Sequence, residues 1–138
     1  MDMIEEIQSF ISKCPIMDGN VPEIDYLGSD SDSIAVEVIP CEPVLKRYYT
    51  GGSLRQYCFN LALRRCYAMT PGENLKNEQL CEELADWAEE CSQNAQLPTL
   101  ATGQTAQRLE VISGGYMQGE QQNFARYKIG FRLIYTQI

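Results

Sequence analysis

The sequence predicts a two-layer α+β domain: a mostly antiparallel sheet of about five strands packed by two helices, in the order α-β-β-β-α-β-β. Three observations carry this. Lys46 to Tyr67 reads as two strands joined by a tight turn at Gly51-Gly52, a glycine pair suited to the positive φ angles of hairpin turns. Phe124 to Thr136 alternates strictly, with Ala125, Tyr127, Ile129, Phe131, Leu133 and Tyr135 on one face. From Glu78 to about Asn94, Leu80, Leu84, Trp87, Ala88 and Cys91 recur at helical steps, and Glu82, Glu83, Asp86, Glu89 and Glu90 lie mainly opposite. Helices that segregate onto one face of a hairpin-connected sheet make an α+β architecture.

In chain order, Asp2 to Lys13 is a short amphipathic helix, its apolar side formed by Met3, Ile7, Phe10 and Ile11, and Pro15 stops it. Cys14 to Pro22 is a connector, Glu23 to Leu27 a short strand candidate, and residues 28–33 a polar loop. Ile34 to Ile39 is a strand with one buried side, Ile34, Val36 and Val38. Pro40 and Pro43 bracket a break before the hairpin. A two-residue turn at Gly51-Gly52 would place Tyr48 opposite Arg55, Lys46 opposite Tyr57 and Val44 opposite Phe59. The strand from Leu54 to about Tyr67 then buries Tyr57, Phe59, Leu61 and Leu63. Met69 to Asn77 reads as a turn-rich loop around Pro71-Gly72, with Asn77 as the cap of the second helix. Pro98 ends that helix, and Leu97 to Gly103 is a loop. Ala106 to Ile112 is a mixed strand, and Ser113 to Asn123 a flexible polar connection to the last strand. With 138 residues and no linker or internal repeat, residues 1–138 form one domain.

The formal net charge is −8, which argues against free binding to a nucleic-acid backbone. The charge is uneven. Lys13 is the only base up to Glu42, against ten acids, and Glu78 to Glu90 holds six acids and no base. The bases fall mostly in predicted strands, so one side of the molecule should be acidic and another basic. No apolar stretch approaches the roughly 20 residues of a membrane span. An N-terminus carrying Asp2, Glu5 and Glu6 does not read as a signal peptide. The six cysteines include no CxxC pair and there is no histidine, so only an all-Cys or Cys/carboxylate metal site could be built. They read as reduced structural thiols of a cytosolic protein.

Enzymatic chemistry finds little footing. Without histidine there is no Ser-His-Asp or Cys-His arrangement, and no GxSxG, Walker or dinucleotide-binding motif occurs. No catalytic residue, cofactor or metal is expected. The residues that ask for explanation are Tyr and Arg around the hairpin turn. Lys46, Arg47, Tyr48, Tyr49, Arg55, Gln56 and Tyr57, with Tyr116, are the candidate protein-contact residues, because Tyr and Arg dominate contact surfaces.

At these residues the chain resembles a known family. KRYYTGGSLRQYCF (Lys46 to Phe59), ELADWAEE (Glu83 to Glu90), LPTL (Leu97 to Leu100), TAQRLEVISGGY (Thr105 to Tyr116) and ARYKIGFRLIY (Ala125 to Tyr135) are similar to small minor capsid or minor tail proteins of phages and prophages of Gram-positive bacteria. Those in turn are similar in size and element order to tail terminator, or tail-completion, proteins. The resemblance implies a non-enzymatic virion component that forms a ring, expected as a hexamer, at the head-proximal end of the tail tube and offers the head-docking surface. Its partners would be itself, tail-tube proteins and head-connector proteins, with no membrane and no sequence-specific nucleic acid. DNA would pass through the ring along inward-turned carboxylates. Assembly would occur in the cytoplasm and the product would reside in the virion. Two other readings stand beside this one: a different head–tail adaptor or minor capsid protein of the same gene cluster, and a small non-viral binding or regulatory α+β domain.

Overall fold

The computed structural model describes residues 3–15, 22–24, 33–66, 71–121 and 124–138. The element order is α1 (Met3–Ser12), β1 (Glu23–Ile24), β2 (Ser33–Ile39), β3 (Val44–Arg47), β4 (Ser53–Cys66), α2 (Pro71–Gln93), β5 (Gln104–Gln121) and β6 (Phe124–Gln137). The six strands form one sheet in the order β1-β2-β4-β6-β5, with β3 joining β4 on the same edge as β2. Every pairing is antiparallel except the two-residue β1–β2 contact. The two-layer α+β class predicted from the sequence is the class observed, with β1 as the additional strand.

Both helices cover the same face. Ile7, Phe10 and Ile11 of α1 and Cys81, Leu84, Ala88 and Cys91 of α2 join Val36, Phe59, Leu61, Leu63, Leu109, Tyr127, Ile129, Phe131 and Leu133 of the sheet in one buried cluster. The helices also meet each other, with the Phe10 and Trp87 rings 5.1 Å apart. Gln8 Nε2 donates to the Pro22 carbonyl at 2.7 Å, which holds α1 near the start of β1. At the centre, Phe59 stacks on Phe131 at 5.3 Å and 18°. These are directly opposed residues of β4 and β6, and such a pair adds about 0.5–1.5 kcal/mol beyond its burial.

Four expectations are corrected. First, α2 begins at Pro71, so the segment expected to be a loop is largely helix and Asn77 lies inside it rather than capping it. Pro71 suits the first helical position because its missing N–H has no intrahelical acceptor there. Second, β5 does not stop at Ile112 but continues to Gln121, through the segment expected to be flexible. Register shifts between Ala106 and Arg108, Val111 and Ser113, Ser113 and Tyr116, and Met117 and Gly119 keep it paired with β6. Bulges let a Gly-rich strand stay on its partner without matching it residue for residue. Third, the hairpin register differs: Val44 faces Arg55, Lys46 faces Leu54 and Arg47 faces Ser53. Fourth, the expected buried side of β2, Ile34, Val36 and Val38, ends early: Val36 is fully buried but Val38 is 44% exposed, beyond the cover of the helices. On the sheet face turned away from the helices, Ala35, Cys58, Ala62 and Ile134 are buried. The polar loop at residues 28–32, most of the connector at 16–21, and the strand end at Tyr67 lie outside the described residues.

Gly130 on β6 marks a place where the sheet needs a missing Cβ. A side chain there would meet Ser113 Oγ at 2.5 Å, and that hydroxyl instead accepts from the Gly130 N–H at 3.1 Å.

The C-terminus of α2 is closed by a Schellman motif. Gln96 N–H donates to the Cys91 carbonyl at 2.8 Å and Ala95 N–H to the Ser92 carbonyl at 3.3 Å. Ala95 sits at φ 58, a left-handed conformation that costs a Cβ-bearing residue energy. Replacing Ala95 by Gly should therefore stabilise the fold by about 1 kcal/mol in a urea-denaturation experiment. An unchanged midpoint would mean that this turn carries no strain.

Candidate assembly surface

The hairpin turn is built from a three-residue loop. Gly51 N–H donates to the Tyr48 carbonyl at 3.1 Å, and Tyr48 N–H donates to the Gly52 carbonyl at 3.2 Å. Gly51 and Gly52 both have positive φ, 95 and 84. The turn proper is therefore Tyr48-Tyr49-Thr50-Gly51, and the glycines close it rather than centre it. A further irregularity between Val44 and Lys46 moves the chain across the sheet plane. As a result Lys46 falls on the face of Leu54 and Arg47 on the face of Ser53, the reverse of the predicted sides.

The candidate residues separate into groups. Lys46, Arg47, Tyr48 and Tyr49 are exposed. Tyr49, at the tip, is fully open to solvent at 111% of its reference area, and Tyr48 is 41% exposed. Lys46 Nζ lies 5.6 Å from the centre of the Tyr48 ring, a cation–π contact on the outer surface. Arg55 and Gln56 are half-buried and tied down. Arg55 Nε donates to Ser53 Oγ at 2.9 Å, and Gln56 Nε2 donates to the Glu42 carbonyl at 2.7 Å. Tyr57 does not belong to the tip: it packs against the helix-side core beside Phe59, ring centres 6.5 Å apart. Tyr116 is remote from the hairpin turn, in β5 opposite Lys128. The structure thus brings Lys46, Tyr48 and Tyr49 together and leaves Tyr57 and Tyr116 out.

Beside the hairpin lies a shallow depression of about 360 Å³, lined by Tyr48, Leu54, Gln107, Arg108, Ile134 and Thr136. It opens on the sheet face that the helices leave uncovered. Farther along that face are two groups of ion pairs that the sequence reading did not assemble. Lys128 Nζ stands 2.9 Å from Glu37 Oε1, and Arg126 reaches the other oxygen at 4.0 Å. Glu110 takes Arg108 Nε at 2.6 Å and also binds Arg132 through its other oxygen. The bases at alternate positions of β6 were visible as a stripe, but their acids come from other strands, Glu37 of the distant β2 and Glu110 of the neighbouring β5. Leu45, at 43%, and Ile112, at 50%, are exposed apolar side chains that also went unremarked.

Across the molecule, α2 turns Glu78, Glu82, Glu83, Asp86, Glu89 and Glu90 to solvent. Arg108, Arg126, Lys128 and Arg132 lie on strands of the sheet layer. Among the described residues no group of three or more Cys, Asp or Glu stands ready to hold a metal ion, and no helix is long and apolar enough to cross a membrane. No protein-family model matches the chain, and no curated protein matches it.

Burial pushes three groups up. The Cys58 thiol rises from 9.0 to about 11, mainly through burial and then through its hydrogen bond and charge interaction with Cys41, against the lowering effect of Arg132. Burial likewise raises Cys91, helped by Glu90, and raises Tyr135 against the opposing charge of Arg55. Each group holds its proton more tightly folded than unfolded. Its contribution is therefore complete below the unfolded value and is lost as pH rises through the folded one. The unfolding midpoint should fall between pH 9 and about 11, less steeply in Cys58→Ala than in the parent chain; equal slopes would refute the role given to Cys58.

The two turn glycines should also separate under substitution. A Cβ at Gly51 meets nothing within 4 Å, whereas one at Gly52 meets the Gln137 carbonyl oxygen at 3.1 Å. Gly51→Ala should cost about 1–2 kcal/mol from backbone strain alone, and Gly52→Ala more, because it also pushes on the last strand. Chemical denaturation of the two variants side by side checks the order.

Proposed function

We propose that this chain is a structural component of a phage virion, a tail-completion protein that assembles with copies of itself into a ring at the head-proximal end of the tail tube and presents the head-docking surface. The observation that carries the reading is the separation of charge between the two layers. One side offers the exposed carboxylates of α2. The other offers the uncovered sheet face with Arg108, Arg126, Lys128 and Arg132 on β5 and β6. A ring requires unlike patches that meet head to tail, and opposite charges on opposite layers supply such a pair. The hairpin tip, with Tyr48 and Tyr49 exposed beyond the packed core, adds an aromatic anchor of the kind that concentrates binding energy. The motifs of the hairpin, the α2 segment and the last strand, read as resembling minor capsid and tail proteins, are in keeping with this proposal.

The test is the double variant Tyr48→Ala with Arg55→Ala. Both side chains lie at the surface or its margin, so the unfolding free energy should change by less than about 1 kcal/mol. Native mass spectrometry of the chain alone and with tail tubes, followed by infectivity, reads assembly. Loss of rings on tubes with an intact fold is the expected result. Unchanged assembly and infectivity would sink the hairpin contact. A second arm, Glu82→Lys with Glu89→Lys, should weaken assembly and be partly rescued by Arg126→Glu if the two layers meet.

A further inference from the structure

We infer that Cys41 and Cys58 form a reactive thiol pair, a modification site at the root of the hairpin that a hydroperoxide converts to a disulfide. Cys41 is exposed and lies in the Pro40–Pro43 bend between β2 and β3, outside the strand pairing. Cys58 is buried in β4, opposite Ile39 on one side and Arg132 on the other. Cys41 follows Ile39, the residue opposite Cys58, by two residues, and the next two residues of the bend are bonded to Gln56 of β4, which sets the Cys41 side chain beside Cys58. A disulfide forms between cysteines on neighbouring backbone when their Cβ atoms come within about 3.5–4.5 Å. The bend carrying Cys41 is already fastened to β4 nearby, where Gln56 N–H donates to the Pro43 carbonyl at 3.0 Å. Cys14, Cys81 and Cys91 are buried in or beside the helix layer and serve as internal controls.

The chemistry divides the roles by access. Cys41 meets the oxidant: its thiolate sulfur attacks a peroxide oxygen, the O–O bond breaks, hydroxide leaves and a sulfenic acid forms. Cys58 then attacks that sulfur, the S–O bond breaks and water leaves. In total two thiols lose two electrons and two protons, and one peroxide becomes two waters. Burial holds the proton on Cys58, offset only in part by the Arg132 guanidinium, and so keeps Cys58 from competing with Cys41 for the oxidant. The product is a covalent tie from the bend that feeds β3 to the central strand, closing a short loop around the hairpin.

The experiment treats the reduced full chain with a few equivalents of hydrogen peroxide, blocks remaining thiols under unfolding conditions, and maps peptides without reduction. The expected product joins the Cys41 and Cys58 peptides, is absent from Cys41→Ser, and leaves Cys14, Cys81 and Cys91 alkylated. It should raise the thermal midpoint by roughly 5–10 °C, reversibly with dithiothreitol. Cys41→Ser changes an exposed residue and should fold, which keeps the test sound if Cys58→Ser does not. Cys41 carried on to sulfinic or sulfonic acid while Cys58 stays a thiol, a Cys41–Cys41 link between chains, or no oxidation of either residue overturns the proposal.

Discussion

The paired length of β4 against β6 is the constraint on which the rest of the molecule depends. The ladder runs without a register shift from Ser53 opposite Gln137 to Cys66 opposite Phe124. Because it is continuous, every odd position of β4 down to Leu63 faces the same layer, and Phe59 meets Phe131 in its middle. β2, β3 and β5 each pair with one of these two strands, and both helices pack on the face the two strands define. A slip of one residue in this pair would send Phe59, Leu61 and Leu63 to the charged face and Arg132 and Lys128 to the core, so burial fixes the register strongly.

The same alternation explains the polarity of the protein. One side of β6 is Tyr127, Ile129, Phe131 and Leu133, all buried. The other side is Arg126, Lys128, Gly130 and Arg132, and it takes up only the two acids Glu37 and Glu110 as partners among the described pairs. Ala35 and Ala62, an opposed pair on this face, are both fully buried. With the sheet providing cations and α2 providing carboxylates, the two layers carry opposite charge as a consequence of how the core is filled.

Much of this was legible in the sequence. The amphipathic helices, the alternating last strand and the long fourth strand all follow from periodicity, which reflects burial directly. What was not legible has a local physical cause in each case. Pro71-Gly72 suggests a turn, but proline is equally at home in the first turn of a helix. Gly114-Gly115 suggests a break, but a neighbouring strand as long as β6 can hold a glycine-rich segment through bulges. The glycine pair at the hairpin has two solutions that differ in where the glycines sit, and only hydrogen bonding to Tyr48 chooses between them. The candidate contact residues were grouped by their type, and Tyr57 was carried along with them although the alternation of β4 had already put it on the buried face, where it lies. The ion pairs around Glu37 were missed because β2 and β6 are far apart along the chain, and the Glu110–Arg132 pair because the shifted register of β5 on β6 could not be read from sequence.

The four register shifts along β5 bear on how copies of this chain can meet. β5 is the outermost strand beyond β6, and a long, straight outer strand would recruit another chain by backbone pairing alone, indifferent to its side chains. Repeated bulges break that template into short, misaligned pieces. Open-ended fibril growth through this border is thereby discouraged. What this border offers a neighbour is side chains rather than a continuous row of backbone groups.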